Sequence, residues 1–198
     1  MELSYRTLAA PAEGMFKDKG SRFTAYAFPV CTEAHVKQHT GTLRQTHHKA
    51  RHWCYAYRLG TDGNRFRAND DGEPAGSAGR PILGQIDAFG LTDTLVVVVR
   101  YFGGTLLGVP GLIHAYKTAT AAALAAAEII EKNIECETAL VCAYADLSEV
   151  LRVAKQHGAY TISQNLQLDC RLTLRLPLAQ APSCRHAWAK IPSVHIET

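Results

Sequence analysis

"TDTLVVVVRYFGGTLLGVPGLIHAYKTATAAALAAAEIIEK", residues 92–132, changes its backbone preference twice. Its first part, "TDTLVVVVRYF", is dense in β-branched residues and reads as a buried strand. "GGTLLGVPGL" then makes a tight loop. From Gly111 the alanine-rich run to Lys132 reads as a helix, with Pro110 suited to its first turn and Leu112, Tyr116, Ala119, Ala123 and Ile130 in one apolar stripe. The alanines let such a helix lie close against a sheet. A strand feeding a helix through a glycine loop points to an α/β (α+β) domain.

Upstream, "SRFTAYAFPV" (21–30) alternates as a strand, and Thr32 caps a helix to about Thr46. "HWCYAYRLG" is a second strand, closed by the turn "GTDGN". A short helix begins at Ser77 or Gly79 and runs toward Asp87. Downstream, "KNIECE" (132–137) reads as a boundary. Beyond it the order is strand ("ALVCAYADL"), helix ("SEVLRVAKQHG"), two strands, helix ("AQAPSCRHAWAK") and a final short strand ("SVHIE"). That is the split βαβ pattern of a ferredoxin-like domain. Two domains are expected, 1–132 and 136–198.

The chain of 198 residues is 47% hydrophobic and 20% charged, which suffices for a core. No apolar run reaches a membrane span, and no basic segment leads into a long apolar one at the N-terminus. No signal peptide and a cytoplasmic address are therefore expected. Six cysteines (Cys31, Cys54, Cys136, Cys142, Cys170, Cys184) occur without a C-x-x-C pair, so buried, unpaired thiols are the expectation.

Two segments carry the candidate chemistry. "FRANDDGEPAGSAGRPILGQ" (66–85) sets Asp70, Asp71 and Glu73 beside a glycine-rich turn. An EF-hand frame from Asp62 puts Glu73 at the twelfth position but Phe66 at the fifth and Arg67 where glycine is required, so it fails. Acids just ahead of a helix favour its N-terminus, and capping is preferred to metal binding. Between Arg44 and Arg67, the cations Arg44, Lys49, Arg51, Arg58, Arg65 and Arg67 face the single acid Asp62. This excess suits a phosphate backbone or an acidic protein, and equally a solvated strand edge. Tyr55, Tyr57 and Phe66 interleave with it, as stacking platforms or as core.

The loop after "RYF" has neither the Walker A Lys-Thr/Ser pair nor a G-x-G-x-x-G fingerprint, so an anion site without nucleotide hydrolysis is the reading for Gly103, Gly104, Gly108 and Gly111. His48 and His52 have zinc-compatible helical spacing but no third ligand, and the segment passes from helix into strand. His52 and Cys54 share a strand face, which allows a nucleophile and base to sit side by side.

"ARHWCYAYRLG", "DDGEPAGSAGRPIL" and "VVVVRYFGGTLLGVPGLIHAYKTA" resemble, in order and spacing, the signature blocks of the IMPACT family in its bacterial form, over roughly residues 17–128. The resemblance implies an N-terminal domain of the ribosomal S5 second-domain superfold and a C-terminal domain similar to one in elongation factor G. Eukaryotic members of the family regulate the general-control kinase of translation by competing for its ribosome-associated activator, with the help of an RWD domain that is not expected here. What the resemblance brings is a link to translation or to RNA. It brings no catalytic residues, cofactor or metal. Where the family commonly has lysine, glycine and arginine, this chain has Leu106, Pro110 and His114. The glycine loop thereby keeps Arg80, Arg100 and Lys117 as its cations.

The expected function is a non-enzymatic protein binding RNA or the translation apparatus through Arg51, Arg58, Arg65, Arg67, Arg80, Arg100 and Lys117. Two alternatives stand beside it: a hydrolase using Asp70, Asp71, Glu73 and His52, and an interaction module whose basic face meets an acidic protein. Oligomeric state is not legible.

Overall fold

The computed structural model describes residues 3–197. The chain divides into two compact units, one of Tyr5–Lys132 and one of Asn133–Thr198 with Met1–Ser4.

The larger unit begins with strands β1 (Ser4–Leu8), β2 (Ala12–Asp18) and β3 (Ser21–Pro29). Helix α1 (Glu33–Thr46) follows, its N-cap Thr32 accepting a hydrogen bond from the His35 amide. Then come β4 (His52–Leu59), β5 (Arg65–Asn69), α2 (Gly79–Ala88), β6 (Thr94–Tyr101), α3 (Gly108–Ala126) and β7 (Ile129–Asn133). Five strands form an antiparallel sheet in the order β2-β3-β6-β4-β5, while β1 and β7 pair separately.

Alternation along the strands gives the sheet two apolar faces. Phe23, Ala25, Cys54, Ala56, Val96 and Val98 pack with α2 and α3. Leu59, Tyr57, Leu95 and Val97 pack with Val36 and Leu43 of α1. β6 sits at the centre and is buried on both faces, which is why its sequence is a continuous apolar run. α3 lies close to β2: a Cβ at Gly14 would come 2.1 Å from the Ala123 amide nitrogen.

Four strands were not legible in the sequence. β5 is an exposed, charged edge, and β2 shows no strong apolar alternation. β1 and β7 are short and pair with each other outside the main sheet, β1 also bridging Leu91 through Arg6. The long helix stops at Ala126, since Ala127 turns extended and "IIEKN" runs on as β7. Ile130 therefore lies on a strand rather than in the helical stripe. Within "KNIECE", β7 ends at Asn133 and β8 begins at Glu135.

The smaller unit runs β8 (Glu135–Cys142), α4 (Leu147–Gln156), β9 (Tyr160–Leu166), β10 (Cys170–Pro177), α5 (Ala181–Trp188) and β11 (His195–Glu197). Its sheet order, β11-β8-β10-β9, is that of a ferredoxin-like fold. Leu140, Leu172, Leu174 and Leu176 meet Val150, Val153 and Trp188 in its core. The fold class is thus α/β (α+β), a helix-backed sheet followed by a ferredoxin-like unit. Among the described residues, no helix is long and apolar enough to cross a membrane.

Candidate functional site

The antiparallel order brings the end of β6, the start of β4, the end of β5, the β2–β3 turn and the N-termini of α2 and α3 to one end of the larger sheet. The pairings His52 with Arg100, Arg22 with Tyr101 and Tyr55 with Asn69 fix this. The acidic turn and the glycine loop meet there.

Each carboxylate of the turn is taken by a different internal partner. Asp70 accepts hydrogen bonds from the amides of Gly76 (2.8 Å), Ala78 (3.0 Å) and Gly79 (2.8 Å). It closes the N-terminus of α2, whose own N-cap is Ala78 and has no capping side chain. Burial pushes its pKa up, but the backbone N–H groups outweigh burial and hold the carboxyl below its ordinary range. Asp71 pairs with Arg44 and accepts from the Trp53 amide at 2.7 Å. Asp71 and Gly72 both have positive φ, 43° and 85°, which lets the turn aim Asp70, Asp71 and Glu73 at different partners.

Glu73 lies deepest, with 4% of its side chain exposed. Its Oε1 accepts from Arg100 at 2.6 Å and from the Tyr116 hydroxyl at 2.8 Å. Arg100, 6% exposed, also lies over the rings of Phe23 and Phe102, and its Nε has no hydrogen-bond partner among the described residues. The Cys54 thiol, with a single proton to share, lies 3.2 Å from the Tyr116 oxygen and 3.0 Å from the Asp70 carbonyl. Burial pushes both the Cys54 thiol and the Tyr116 hydroxyl well above their ordinary pKa. His52 Nδ1 donates to the Asp71 carbonyl at 2.8 Å, since a carbonyl can only accept. Its Nε2 is 3.9 Å from Glu73. His52 and Cys54 share a face, as their spacing requires, but each is bonded to the acidic turn instead of to the other. A neutral, buried thiol is a poor nucleophile, and no carboxylate of the three is left open as a base. The cluster is a clasp joining β4, β6, α2 and α3.

The loop above the clasp is exposed. Its base is fixed by Gly103, whose N–H donates to Ser21 Oγ at 3.1 Å and where a Cβ would come 1.9 Å from the Gly20 carbonyl carbon. Gly104 lies in the loop, but Gly108 opens α3 and Gly111 is already inside its first turn, so the helix starts three residues earlier than the sequence suggests, with no capping side chain and no acid in its first turn. Leu106 is 83% exposed at the tip, and Phe102, Val109 and Ile113 are exposed beside it.

The basic residues do not form one surface. Arg51, whose amide donates to the Arg100 carbonyl, lies at the clasp end with Arg80 at the start of α2; both are exposed. Lys117 is exposed on α3. β4 and β5 carry Arg58 and Arg65 toward the other end of the sheet, about 23 Å away at ~3.3 Å per residue. Arg58 is paired there with Asp87 of α2 at 2.7 Å and stacks on Phe66. Arg65 and Arg67 lie on the α1 face, opposite Leu59 and Tyr57. Tyr57 is buried and donates to Glu33, Tyr55 is half-buried, and Phe66 is exposed. Strand alternation is visible in the sequence, but the hairpin that separates these residues is formed by β5, whose exposed, charged sequence carries no strand pattern. The cysteines also divide: Cys54, Cys142, Cys170 and Cys184 are buried and Cys136 half-buried, whereas Cys31 is exposed, because it precedes the Thr32 cap rather than entering the helix. Among the described residues no three His, Cys, Asp or Glu side chains gather as a ligand set.

The blocks that build the clasp and the loop are those matched by the Impact N-terminal domain family, over residues 19–124. The chain belongs to the IMPACT family. It is 36% identical over 175 residues to the IMPACT family member YigZ of Escherichia coli, covering 87% of this chain and 85% of that one. It is 33% identical over 114 residues to the Protein IMPACT homolog of Saccharomyces cerevisiae, 55% of this chain and 43% of that protein. A solved structure, described as a crystal structure of a hypothetical protein, superposes with a TM-score of 0.81 at 31% identity, covering 99% of this chain and 97% of the other. For an IMPACT-family chain, the clasp explains the acidic block physically: its carboxylates hold the sheet end and two helices in register.

Proposed function

We propose that this IMPACT-family chain acts in translation as a non-enzymatic binding protein, and that the clasp end of its larger unit contacts RNA. The observation that carries the reading is the uncapped start of the 19-residue helix α3, set on a glycine loop at the sheet end that also carries the exposed cations Arg51 and Arg80, with Lys117 exposed about two and a half turns further along the helix. Free N–H groups and the helix dipole favour phosphate there. The nearby acids add little opposing field, being compensated by Arg44, Arg100 and the start of α2. The link to translation rests on the family, whose eukaryotic members regulate it. A soluble, cytoplasmic setting belongs to the same reading.

Fluorescence anisotropy with single-stranded RNA tests it. Arg51→Glu with Arg80→Glu should lower affinity at least about tenfold in ~50 mM salt and reduce the salt slope by roughly two. Arg65→Glu with Arg67→Glu, away from the clasp, should leave binding close to wild type. Equal losses from both pairs, or no binding by wild type at low salt, would overturn the reading.

A second reading draws on the exposed apolar residues Phe102, Leu106, Val109 and Ile113, which favour a protein partner with an acidic rim. Leu106→Lys separates the two. On the RNA reading, it places a cation at the loop tip and tightens RNA binding about threefold to tenfold. On the protein reading, RNA binding stays absent with or without the lysine.

A further inference from the structure

Cys31 lies at the opposite end of the larger sheet, and its surroundings differ from those of every other cysteine in the chain. It is exposed, and its Sγ is 3.6 Å from His35 Nδ1, four residues on in the first turns of α1. With the proton of a neutral imidazole on Nε2, Nδ1 is the acceptor for the thiol proton. Both side chains line one cavity of about 200 Å³, whose wall also includes Tyr5 from β1, Asp93 from the turn before β6 and Lys132 from β7. His39 lies one helical turn beyond His35 and stacks on Phe28. Asp93 is partly spent, since its Oδ1 accepts the Gly60 amide at 2.8 Å. A nucleophile within reach of a base, in a pocket with a cation, is the arrangement that activates a thiol.

We propose that Cys31 is a thiol–disulfide exchange site, with His35 as its base and Lys132 selecting disulfides that carry carboxylates. In the exchange, the Cys31 proton passes to His35 Nδ1 and the thiolate attacks one sulfur of a small-molecule disulfide. A new S–S bond forms to Cys31 as the old one breaks, and the departing thiolate recovers the proton from His35. The disulfide supplies the oxidising equivalents, so no other oxidant is needed.

The experiment measures adduct formation on the intact protein by mass spectrometry. The probes are oxidised glutathione, which carries carboxylates, and cystamine, which is cationic. Wild type should form a single adduct, mapped to Cys31, faster than N-acetylcysteine reacts under the same conditions. His35→Gln should slow it about ten- to a hundredfold at neutral pH and flatten the rise of rate with pH. Lys132→Gln should lower the glutathione-to-cystamine rate ratio about threefold to fivefold, the loss of one nearby charge at the surface. Cys31→Ser should remove the adduct. Reaction no faster than N-acetylcysteine, or an unchanged rate in His35→Gln, overturns the site. An unchanged rate ratio in Lys132→Gln overturns the selection of anionic disulfides.

Discussion

The larger unit holds two Cys–His pairs, and their chemistry is opposite. In one, His52 and Cys54 are two residues apart on a single strand face, yet neither bonds the other: His52 is held by the Asp71 carbonyl, and Cys54 by Tyr116 and the Asp70 carbonyl. In the other, Cys31 and His35 straddle a helix start and meet at 3.6 Å in an exposed pocket. Both pairs are close in sequence, two residues apart in one and four in the other. What separates them is whether surrounding groups have already taken the hydrogen-bonding capacity of the pair, and whether the thiol can reach solvent.

Four measurements would break or sharpen this contrast. The largest effect is expected from Glu73→Ala, which leaves Arg100 buried without its carboxylate and should cost about 3–5 kcal/mol in denaturant unfolding. A loss below ~1 kcal/mol would show that the clasp does not hold the unit together. Next, native-state thiol labelling should find Cys54 at least about a hundredfold slower than Cys31, a difference of ~2.7 kcal/mol, because Cys54 is reached only through an opening of the core. Comparable rates would erase the distinction between the two pairs.

Asp70→Asn should cost about 1–2 kcal/mol at neutral pH and change the acid limb of stability. The folded carboxyl titrates below its unfolded value, so its contribution is present above the unfolded carboxylate pKa and is lost as pH falls through the folded one. In Asp70→Asn that part of the decline below about pH 4 should vanish. The smallest effect belongs to Cys31→Ser, which should shift stability by no more than about 0.5 kcal/mol, since an exposed thiol ahead of the helix packs against little. A larger loss would mean that Cys31 is structural.

Legibility followed burial. β6 announces itself because a central strand buried on both faces must be apolar throughout, and the Thr32 cap is legible because its chemistry is local. β5 carries its charges outward as an edge, so its pattern resembles a loop. Missing it made Arg51 through Arg67 look like one basic surface, when the β4–β5 hairpin spreads them along both faces of the sheet and toward its far end. The acidic turn was readable as a helix-start device, but only as a class. Nothing local says that Asp70 serves α2, that Asp71 serves Arg44 and Trp53, or that Glu73 reaches β6 and α3.

By itself the sequence determined what depends on neighbours within a few positions: the central strand, the caps, the helical stripe from Leu112 to Ala123, the ferredoxin-like order of elements and the family blocks. Only the tertiary structure decided the partners of each polar group. Arg100 meets Glu73 across 27 positions and Tyr116 meets it across 43. The reason is physical. A buried charge or thiol takes its protonation and reactivity from whatever the fold brings within about 3 Å, and that neighbourhood is set by strand order and register rather than by spacing along the chain.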